Sequence, residues 1–479
     1  MKIRNYQPIV FISFILLLTI TSCNRNTDIS RILFKETKNN VYKDIEEEKL
    51  AAALKSSLEQ KRSDLKNAAF IINYYKQNGY QAILIKKFFS NGKLDLLAEH
   101  LANSVDHGIG SDYFNADNYQ QLLNTVSSKN EVKTQDEAYE ELVKLELATA
   151  DALLSYSGAL QYGVINPNKT LRHYYIETKR PDSVFMENIL ASNDIKSLLD
   201  SIQPSSPLYL ALQKELLSNK TINDTVRRSI VANMERARWK QDIDSSEMVY
   251  VNIPAFQLNV FKGGKSAMNM KVVVGSVGHE TPVLASKIHS VQVNPVWNIP
   301  KSIAGKEILK HVQNDRFYLV NSGIEVLEDG KVIEDSENID WSAFSPENLP
   351  YRFRQKPGDE NALGKIKFLF KNNSSVYLHD TPSQAAFEKE SRALSHGCVR
   401  VAEPLELAQA LFGSGDKFNT IKSEMESTEQ LDSKDISLSP QTQVVLDYKT
   451  AALENNTLHF YPDIYGEDAV LYPYLKIRS

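Results

Sequence analysis

The sequence predicts an α+β protein in which a helical N-terminal region precedes a β-rich C-terminal region. Up to Trp239, apolar residues recur at spacings of three and four, as on one face of a helix. After Trp239 the apolar residues alternate, as in Val249, Val251 and Ile253. The alternating runs are short and bounded by Gly, Pro and Asn, which is typical of strands and turns.

The composition is that of a folded protein with more than one domain. A chain of 479 residues is long enough for two or three domains. Its hydrophobic fraction of 42% and charged fraction of 24% are ordinary for globular proteins, which excludes a largely disordered chain. The formal net charge of −5 gives no basic footprint, so we expect no nucleic-acid partner.

The first residues have the pattern of an export signal. Lys2 and Arg4 precede an apolar run over residues 9–20, which is shorter than the about 20 residues that a membrane-spanning helix needs. The run closes on Thr21-Ser22-Cys23, which resembles a bacterial lipoprotein signal, in which the cysteine becomes the lipidated N-terminus. We therefore expect a signal peptide over 1–22 and a tether over 23–44. A plain secretory signal and a short anchor helix are the alternatives.

Lipidation of Cys23 would place the protein in the cell envelope, facing the periplasm and anchored to a membrane. Asn24 stands where an aspartate is often linked to inner-membrane retention, so the sequence favours the outer membrane over the inner. Cys398, the second of two cysteines, would then be the free thiol of an exported protein. A solitary thiol in an oxidising compartment indicates a functional role.

The helical region is predicted to span residues 45–240. Its clearest helical patterns lie over 50–65, 120–126, 136–154 and 208–217. Nothing in this region has a pattern typical of catalysis, which favours a scaffold.

The β-rich region is predicted to span residues 247–425. Its alternating runs lie over 256–260, 271–274, 288–293, 366–370 and 375–379, and helices are expected over 302–312 and 404–412.

Within this region, residues 314–357 are charged, aromatic and rich in turns, and Asp329-Gly330 indicates a hairpin tip. Because long irregular insertions in compact domains are usually functional lids, we expect an insertion here that covers a site. Residues 426–479 are predicted to form a C-terminal segment that packs on the β-rich region, with a strand over 443–448.

The residues most suggestive of chemistry lie in two blocks, 377–382 and 395–400. In the second block, Cys398 is flanked by His396, Gly397 and Arg400. A nucleophilic thiol needs a base and a neighbouring positive charge to hold the thiolate. A flexible backbone beside it can aim amides at a developing oxyanion.

Together the blocks resemble the signature of the YkuD-type L,D-transpeptidases. That signature is His379, fifteen further residues, and then Ser395-His396-Gly397-Cys398-Val399-Arg400. Other runs, over 251–256, 294–300, 357–364, 379–382, 106–113 and 460–466, resemble the long, YcbB-like branch of large envelope enzymes. Members of this branch commonly carry a small peptidoglycan-binding module, but residues 208–239 are too short and too charged a stretch to hold one.

The resemblance implies that the helical region is a scaffold domain and that the β-rich region is the catalytic domain, with the insertion as its cap. It also implies transpeptidation of peptidoglycan stem peptides without a cofactor or a metal. The Cys398 thiolate would attack the carbonyl between the third residue and the terminal D-alanine of a tetrapeptide stem. An amine of a neighbouring stem would then resolve the thioester and form a 3→3 cross-link.

The family's catalytic roles can be carried over residue by residue. Cys398 matches the nucleophile, and His379 matches the base. The amides of Gly397 and Cys398 would form the oxyanion hole. His396 would tune the site or hold the loop. The plainer alternatives are an inert buried thiol and a structural histidine.

Three residues are candidates for substrate binding. Tyr377 and Trp297 resemble residues that line the substrate cleft, although an aromatic side chain beside a strand is often core. Arg400 would either support the loop through a carboxylate or bind a substrate carboxylate.

Three other functions stay open at this stage. With water as the acceptor, the same thioester would make an L,D-carboxypeptidase, and the acceptor pocket cannot be identified from the sequence. A metal site built from Cys398, His396 and His379 fits poorly, because these residues already form a nucleophile–base pattern. A non-catalytic envelope-binding protein would be favoured by loss of Cys398 or His379, and both are present.

Overall fold

The computed structural model describes residues 28–60, 65–219, 222–429 and 432–477. The predicted signal peptide and Cys23 lie outside these ranges. The chain forms two compact units. The first holds the described residues up to Ala98, with Asn118–Leu153 and Leu190–Ile195. The second holds Glu99–Asp117, Leu154–Ile189 and the described residues from Lys196 onwards.

The N-terminal part of the chain is helical, as predicted. Its helices are α1 (Asp28–Thr37), α2 (Glu47–Gln60), α3 (Ala68–Gln77), α4 (Ile83–Phe88), α5 (Lys93–Ala102), α6 (Ala116–Ser127), α7 (Gln135–Tyr162), α8 (Pro167–Thr170), α9 (Ser183–Ala191), α10 (Ile195–Ser201), α11 (Pro207–Ser218) and α12 (Asp224–Arg238). None of the helices in the described ranges combines the length and the apolar composition needed to cross a membrane.

Local sequence explains where these helices begin. A capping box opens α7, because the Glu137 N–H donates to Thr134 Oγ1 while the Thr134 N–H donates to Glu137 Oε2. A side-chain cap and a proline open α11, where Ser206 accepts from the Tyr209 N–H and Pro207 takes the first helical position.

The first unit contains a fully buried carboxylate. Glu146, on α7, accepts hydrogen bonds from the Tyr75 hydroxyl at 2.6 Å and from the Leu84 and Ile85 amides at 2.9 and 2.8 Å. Burial raises the pKa of this carboxyl group, and the three donors oppose that rise. Glu146 therefore satisfies amides at the start of α4, which would otherwise be buried without partners.

The β-rich part follows α12, again as predicted. Its strands, with the short β1 included, are β1 (Thr178–Lys179), β2 (Lys240–Gln241), β3 (Met248–Asn252), β4 (Gln257–Lys262), β5 (Lys265–Gly275), β6 (Leu284–Val293), β7 (Trp297–Ile299), β8 (Ile324–Glu328), β9 (Lys331–Ile333), β10 (Arg352–Gln355), β11 (Ile366–Phe370), β12 (Leu378–His379), β13 (Ala393–Ser395), β14 (Val399–Val401), β15 (Lys434–Asp447), β16 (Ala451–Glu454) and β17 (Thr457–Phe460). Its helices are α13 (Lys301–Ile303), α14 (Leu309–Asn314), α15 (Tyr318–Asn321), α16 (Pro404–Phe412), α17 (Asp416–Glu426) and α18 (Glu467–Leu471).

The main sheet closes on itself. Its strand order is β13-β5-β14-β12-β11-β6-β15-β3-β4, and β4 also pairs with β5. The long β5 can pair with both β4 and β14, and so close the sheet, because different residues of β5 pair with each of them. Alternating apolar residues of the strands, such as Ile366, Phe368 and Phe370, are buried and form the core of this sheet.

The C-terminal segment over 426–479, predicted to pack on the β-rich region, contributes a strand to the main sheet. β15 pairs antiparallel with β6 and parallel with β3, so it lies inside the sheet. Further along the segment, the buried Asp468 carboxylate accepts from Arg236 of α12 at 2.5 Å and from the Thr450 hydroxyl at 2.6 Å. These contacts hold the end of the chain against α12.

The insertion forms a small layer with its own core, which we call the cap (Trp297–Gln355). Its sheet has the order β7-β10-β8-β9, and its buried residues include Trp341, Phe353 and Leu319. The hairpin at Asp329-Gly330 is present between β8 and β9, and both residues have positive φ. The predicted helix over 302–312 appears as α13, one turn of π-helix (Ala304–Ile308) and α14, all within the cap. The cap sheet thus begins upstream of residue 314, where the insertion was expected to start.

Candidate active site

Strand register gathers the candidate residues on one face of the main sheet. Lys367 of β11 pairs with His379 of β12, and His379 pairs with Arg400 of β14. Directly paired residues point to the same face, so these three form a row. Tyr377 and Cys398 directly precede β12 and β14, and Tyr377, Lys367 and Arg400 all lie near the Cys398 thiol.

The Cys398 thiol is free, half-buried and in contact with Tyr377. Burial raises its pKa, while the amide and hydroxyl of Tyr377 and the charges of Arg400 and Lys367 favour the thiolate. On its other side the Tyr377 hydroxyl interacts with the Trp297 indole of the cap. The predicted nucleophile and the two predicted cleft aromatics therefore lie together.

His379 is 4% exposed and is held in one tautomer. Its Nδ1–H donates to the Asp380 carbonyl oxygen at 2.6 Å, which leaves Nε2 as the basic nitrogen. Burial, followed by the charges of Arg400 and Lys367, lowers its pKa to about 3, so the ring is neutral at neutral pH. In the described part of the chain no hydrogen bond joins His379 to Cys398, and its ring packs edge-on against Tyr377 at 5.6 Å. The base role of His379 stays a prediction.

A tight turn before β11 positions the strand that carries His379. The Asp380 carboxylate accepts from the Lys365 amide at 2.8 Å and from the Thr381 amide at 2.7 Å. Gly364 has φ +60°, and a Cβ there would lie 2.3 Å from Asp380 Oδ2. Only glycine fits this position without displacing the carboxylate.

The loop that carries the thiol is held by its own hydrogen bonds. Ser395 Oγ donates to the Cys398 carbonyl at 2.6 Å and accepts from the Gly397 N–H at 3.1 Å. Thr281 Oγ1 donates to the Gly397 carbonyl at 2.8 Å, and Gly397 has φ +108°. The Gly397 N–H, predicted to bind the oxyanion, is thus engaged by Ser395 and would have to exchange partners. Oxyanion binding by Gly397 and Cys398 stays a prediction.

His396 and Arg400 face different surroundings. The His396 Nε2–H donates to Glu307 Oε1 of the cap at 2.6 Å, and its ring lies 4.8 Å from that of His279. Arg400 is half-buried, and its Nε has no hydrogen-bond partner among the described residues. Within the described ranges no carboxylate forms an ion pair with Arg400, so one of its two predicted roles, support of the loop through a carboxylate, is not seen.

Comparison with known proteins assigns both regions. Residues 246–414 match the YkuD family, described as the L,D-transpeptidase catalytic domain, and residues 69–216 match the family described as the scaffold domain. The chain therefore contains a YkuD-type L,D-transpeptidase catalytic domain preceded by a scaffold domain. The match to the YkuD domain includes Cys398, His379 and the cap, and the scaffold domain ahead of it is the arrangement of the YcbB-like branch.

Individual proteins are also similar to this chain. A putative L,D-transpeptidase of Haemophilus influenzae is 29% identical over 348 residues, which are 66% of this chain and 68% of the relative. The solved structure of an L,D-transpeptidase from Mycobacterium smegmatis is 11% identical, with a TM-score of 0.21. That match spans 42% of this chain and 58% of the other, less than two thirds of its length. Such a weak likeness says nothing about the fold or the function.

Sequence reasoning missed three residues around the YkuD site. The sequence could have indicated Lys367, since it is the charged residue in the otherwise apolar strand β11. Only β12 lies between β11 and β14, the strand of Arg400. Thr281 and Glu307 lie far from the motif in sequence and carried no signal. Among the described residues, no cluster of three or more His, Cys, Asp and Glu side chains could hold a metal ion.

Proposed function

We propose that this YkuD protein is a cysteine-dependent peptidoglycan L,D-transpeptidase that joins stem peptides by 3→3 cross-links. One observation carries the proposal: the free thiol of Cys398 lies beside Tyr377 and the cations Lys367 and Arg400, and these cations flank a neutral His379 in the sheet. This set can deprotonate a thiol, hold the thiolate and return a proton to a leaving amine.

In the first half-reaction the thiol proton passes to His379 Nε2, and the Sγ thiolate then attacks the carbonyl carbon of the third stem residue. The charges of Lys367 and Arg400 stabilise the thiolate before attack. The C–N bond to D-alanine then breaks, and the leaving amine takes the proton from His379. A thioester on Cys398 remains.

In the second half-reaction the amine of a neighbouring stem attacks the thioester carbon. Its proton passes to His379, the C–S bond breaks, and Cys398 leaves as the thiolate, which takes that proton back from His379. With water as the attacking group, the same steps would release a tripeptide, so the acceptor distinguishes a transpeptidase from a carboxypeptidase.

The test is intact-protein mass spectrometry of the enzyme mixed with a disaccharide-tetrapeptide, beside a Cys398→Ala variant. We expect a thioester adduct on the wild type and none on the variant, followed by a cross-linked dimer. An adduct that resolves only to the tripeptide would favour the carboxypeptidase. No adduct at any acceptor concentration would contradict both and favour a non-catalytic binding protein.

We also propose that the enzyme is exported and anchored by a lipid on Cys23, at the outer membrane rather than the inner. The support is the order of the N-terminal residues alone, from Lys2 and Arg4 to Thr21-Ser22-Cys23. The mass of the mature N-terminal peptide tests this, with loss of the lipid and release from membranes expected for Cys23→Ala. An unmodified Cys23 in membrane-bound protein would contradict the proposal.

A further inference from the structure

The cap reaches the nucleophile from two sides. Its first strand, β7, brings Trp297 to the Tyr377 hydroxyl, and that hydroxyl contacts the Cys398 thiol. The helix that follows brings Glu307 to His396 in the loop that ends at Cys398. One continuous piece of the cap thus approaches both the sulfur and the backbone beside it.

Glu307 is held in place by the core of the cap. It lies in the single π-helical turn between α13 and α14, and such turns occur frequently at functional sites. Ile303 and Ile308, on either side of it, are buried in the cap core, and Gly305 packs against Pro346. The backbone of Glu307 is therefore fixed relative to the cap.

The other end of the contact is equally well defined. His396 lies between Ser395, which bonds the Cys398 carbonyl and the Gly397 amide, and Gly397, whose carbonyl is bonded by Thr281. These bonds attach the loop to the main sheet. The 2.6 Å bond from His396 to Glu307 attaches it to the cap.

We propose that Glu307 is a positioning residue for acyl transfer, holding the Cys398 loop in its reactive geometry whenever the cap is seated. The carboxylate acts through His396 and does not touch the substrate. The site is then complete only when the cap is seated, because a displaced cap removes the bond that fixes the His396 side chain.

The solvent exposure of the contact fits a bond that opens and closes. The side chains of His396 and Glu307 are 36% and 47% exposed, so separating them breaks no buried packing. By contrast, the Ser395 and Thr281 bonds of the loop are buried and stay with the main sheet. This contact can therefore open while the loop keeps its attachment to the main sheet.

Two reactions of Cys398 separate this role from a general structural one. With p-nitrophenyl acetate, the thiolate attacks the ester carbon, p-nitrophenolate leaves and an acetyl thioester forms, through a tetrahedral oxyanion that an ordered loop stabilises. With iodoacetamide, the thiolate displaces iodide from a carbon atom and no oxyanion develops. The inference rests on the proposed function only in that Cys398 must accept an acyl group, and neither reagent needs a peptide site.

The experiment compares Glu307→Ala, Glu307→Gln and the wild type, with Glu334→Gln as a matched control on the exposed surface of the same cap. The Cys398→Ala variant supplies the background from Cys23. We expect Glu307→Ala to slow acetylation about 10- to 100-fold, the cost of slight misplacement of reacting groups. Glu307→Gln keeps an oxygen acceptor for His396 and should recover most of that loss. The alkylation rates of the wild type, the two Glu307 variants and Glu334→Gln should agree within about twofold.

Acetylation of Glu307→Ala at the wild-type rate would overturn the inference. A parallel fall in acetylation and alkylation would also overturn it, because the thiol itself would then be affected. Wild-type enzyme that is alkylated but never acetylated would contradict the inference and the proposed thioester chemistry together. A clear Glu307 effect without any peptide cross-linking would support the inference and count against the proposed function.

Discussion

At the scale of single residues, the two cations beside His379 lower the pKa values of both the predicted base, His379, and the predicted nucleophile, Cys398. The charges of Lys367 and Arg400 lower the pKa of His379, because they disfavour the imidazolium, and they favour the Cys398 thiolate. If the two residues have their predicted roles, these charges increase the thiolate fraction of the nucleophile and weaken the base.

Replacing one cation tests this balance. In Lys367→Met the pKa values of both Cys398 and His379 should rise, because a positive charge that opposes the protonated forms is gone. The pH profile of iodoacetamide alkylation should move to higher pH, with a several-fold slower rate at neutral pH. Lys371→Met, an exposed lysine just after the same strand, should leave the profile unchanged. A profile that stays in place, or moves to lower pH, would contradict the electrostatic role of Lys367.

The sequence predicted those site residues whose neighbours in the chain are also their neighbours in space. Tyr377 directly precedes β12, which holds His379, and Cys398 directly precedes β14, which holds Arg400, so the members of each pair are close in the chain. Lys367 joins them only through the register of β11 with β12. Such a register depends on tertiary pairing and cannot be determined from one short alternating run.

At the scale of elements, the turn before β11 connects two parts of the site. The Lys365 and Thr381 amides both bond the Asp380 carboxylate, which fixes β12 against the start of β11. His379 Nδ1 is held by the carbonyl of the same Asp380. The tautomer of the predicted base therefore depends on the geometry of this turn.

A methyl group at Gly364 should damage this turn. Gly364→Ala combines a positive φ with a Cβ 2.3 Å from Asp380 Oδ2, and should lower the free energy of unfolding by roughly 2–5 kcal/mol, along with activity. The matched control is Gly263→Ala, where φ is +55° and a Cβ would meet no atom within 4 Å, with an expected loss of about 1–2 kcal/mol. Urea unfolding measures both. Equal losses in the two variants would show that the contact with Asp380 contributes nothing.

The periodicity of the sequence predicted where helices and strands lie, but it did not predict which strands pair. The helix over Pro404–Phe412 and the strand over Ile366–Phe370 have their predicted bounds. β15 is longer than the predicted 443–448, and its place between β6 and β3 has no signal in the sequence. The cap likewise begins at Trp297, because β7 pairs with β10 more than fifty residues later. Both differences arise from long-range strand pairing, which local patterns do not contain.

At the scale of the whole molecule, two histidines make the stability of the fold depend on pH: the half-buried His107 and the buried His379. Burial and the nearby charge of Arg238 lower the pKa of His107 to about 4, and that of His379 is lowered to about 3. The unfolded chain would bind a proton at each near pH 6.5, whereas the folded chain does not until about pH 4 or 3. Both histidines therefore support the fold fully above pH 6.5, and that support is lost as the pH falls through this window.

His107 can be tested without touching the active site. Its Nδ1 accepts from the Tyr209 hydroxyl at 2.9 Å and faces Gln213 Nε2 at 3.3 Å, and the Oδ1 of an asparagine can take the same place. His107→Asn should have a slightly lower Tm at pH 7 but lose less Tm than the wild type between pH 7 and pH 5. Between about pH 6.5 and pH 4, protonation of His107 can lower the free energy of unfolding by up to about 3 kcal/mol. His459→Asn, at an exposed position, should follow the wild type at both pH values. If His107→Asn lost as much Tm on acidification as the wild type, His107 would not be among the groups that make the fold acid-sensitive.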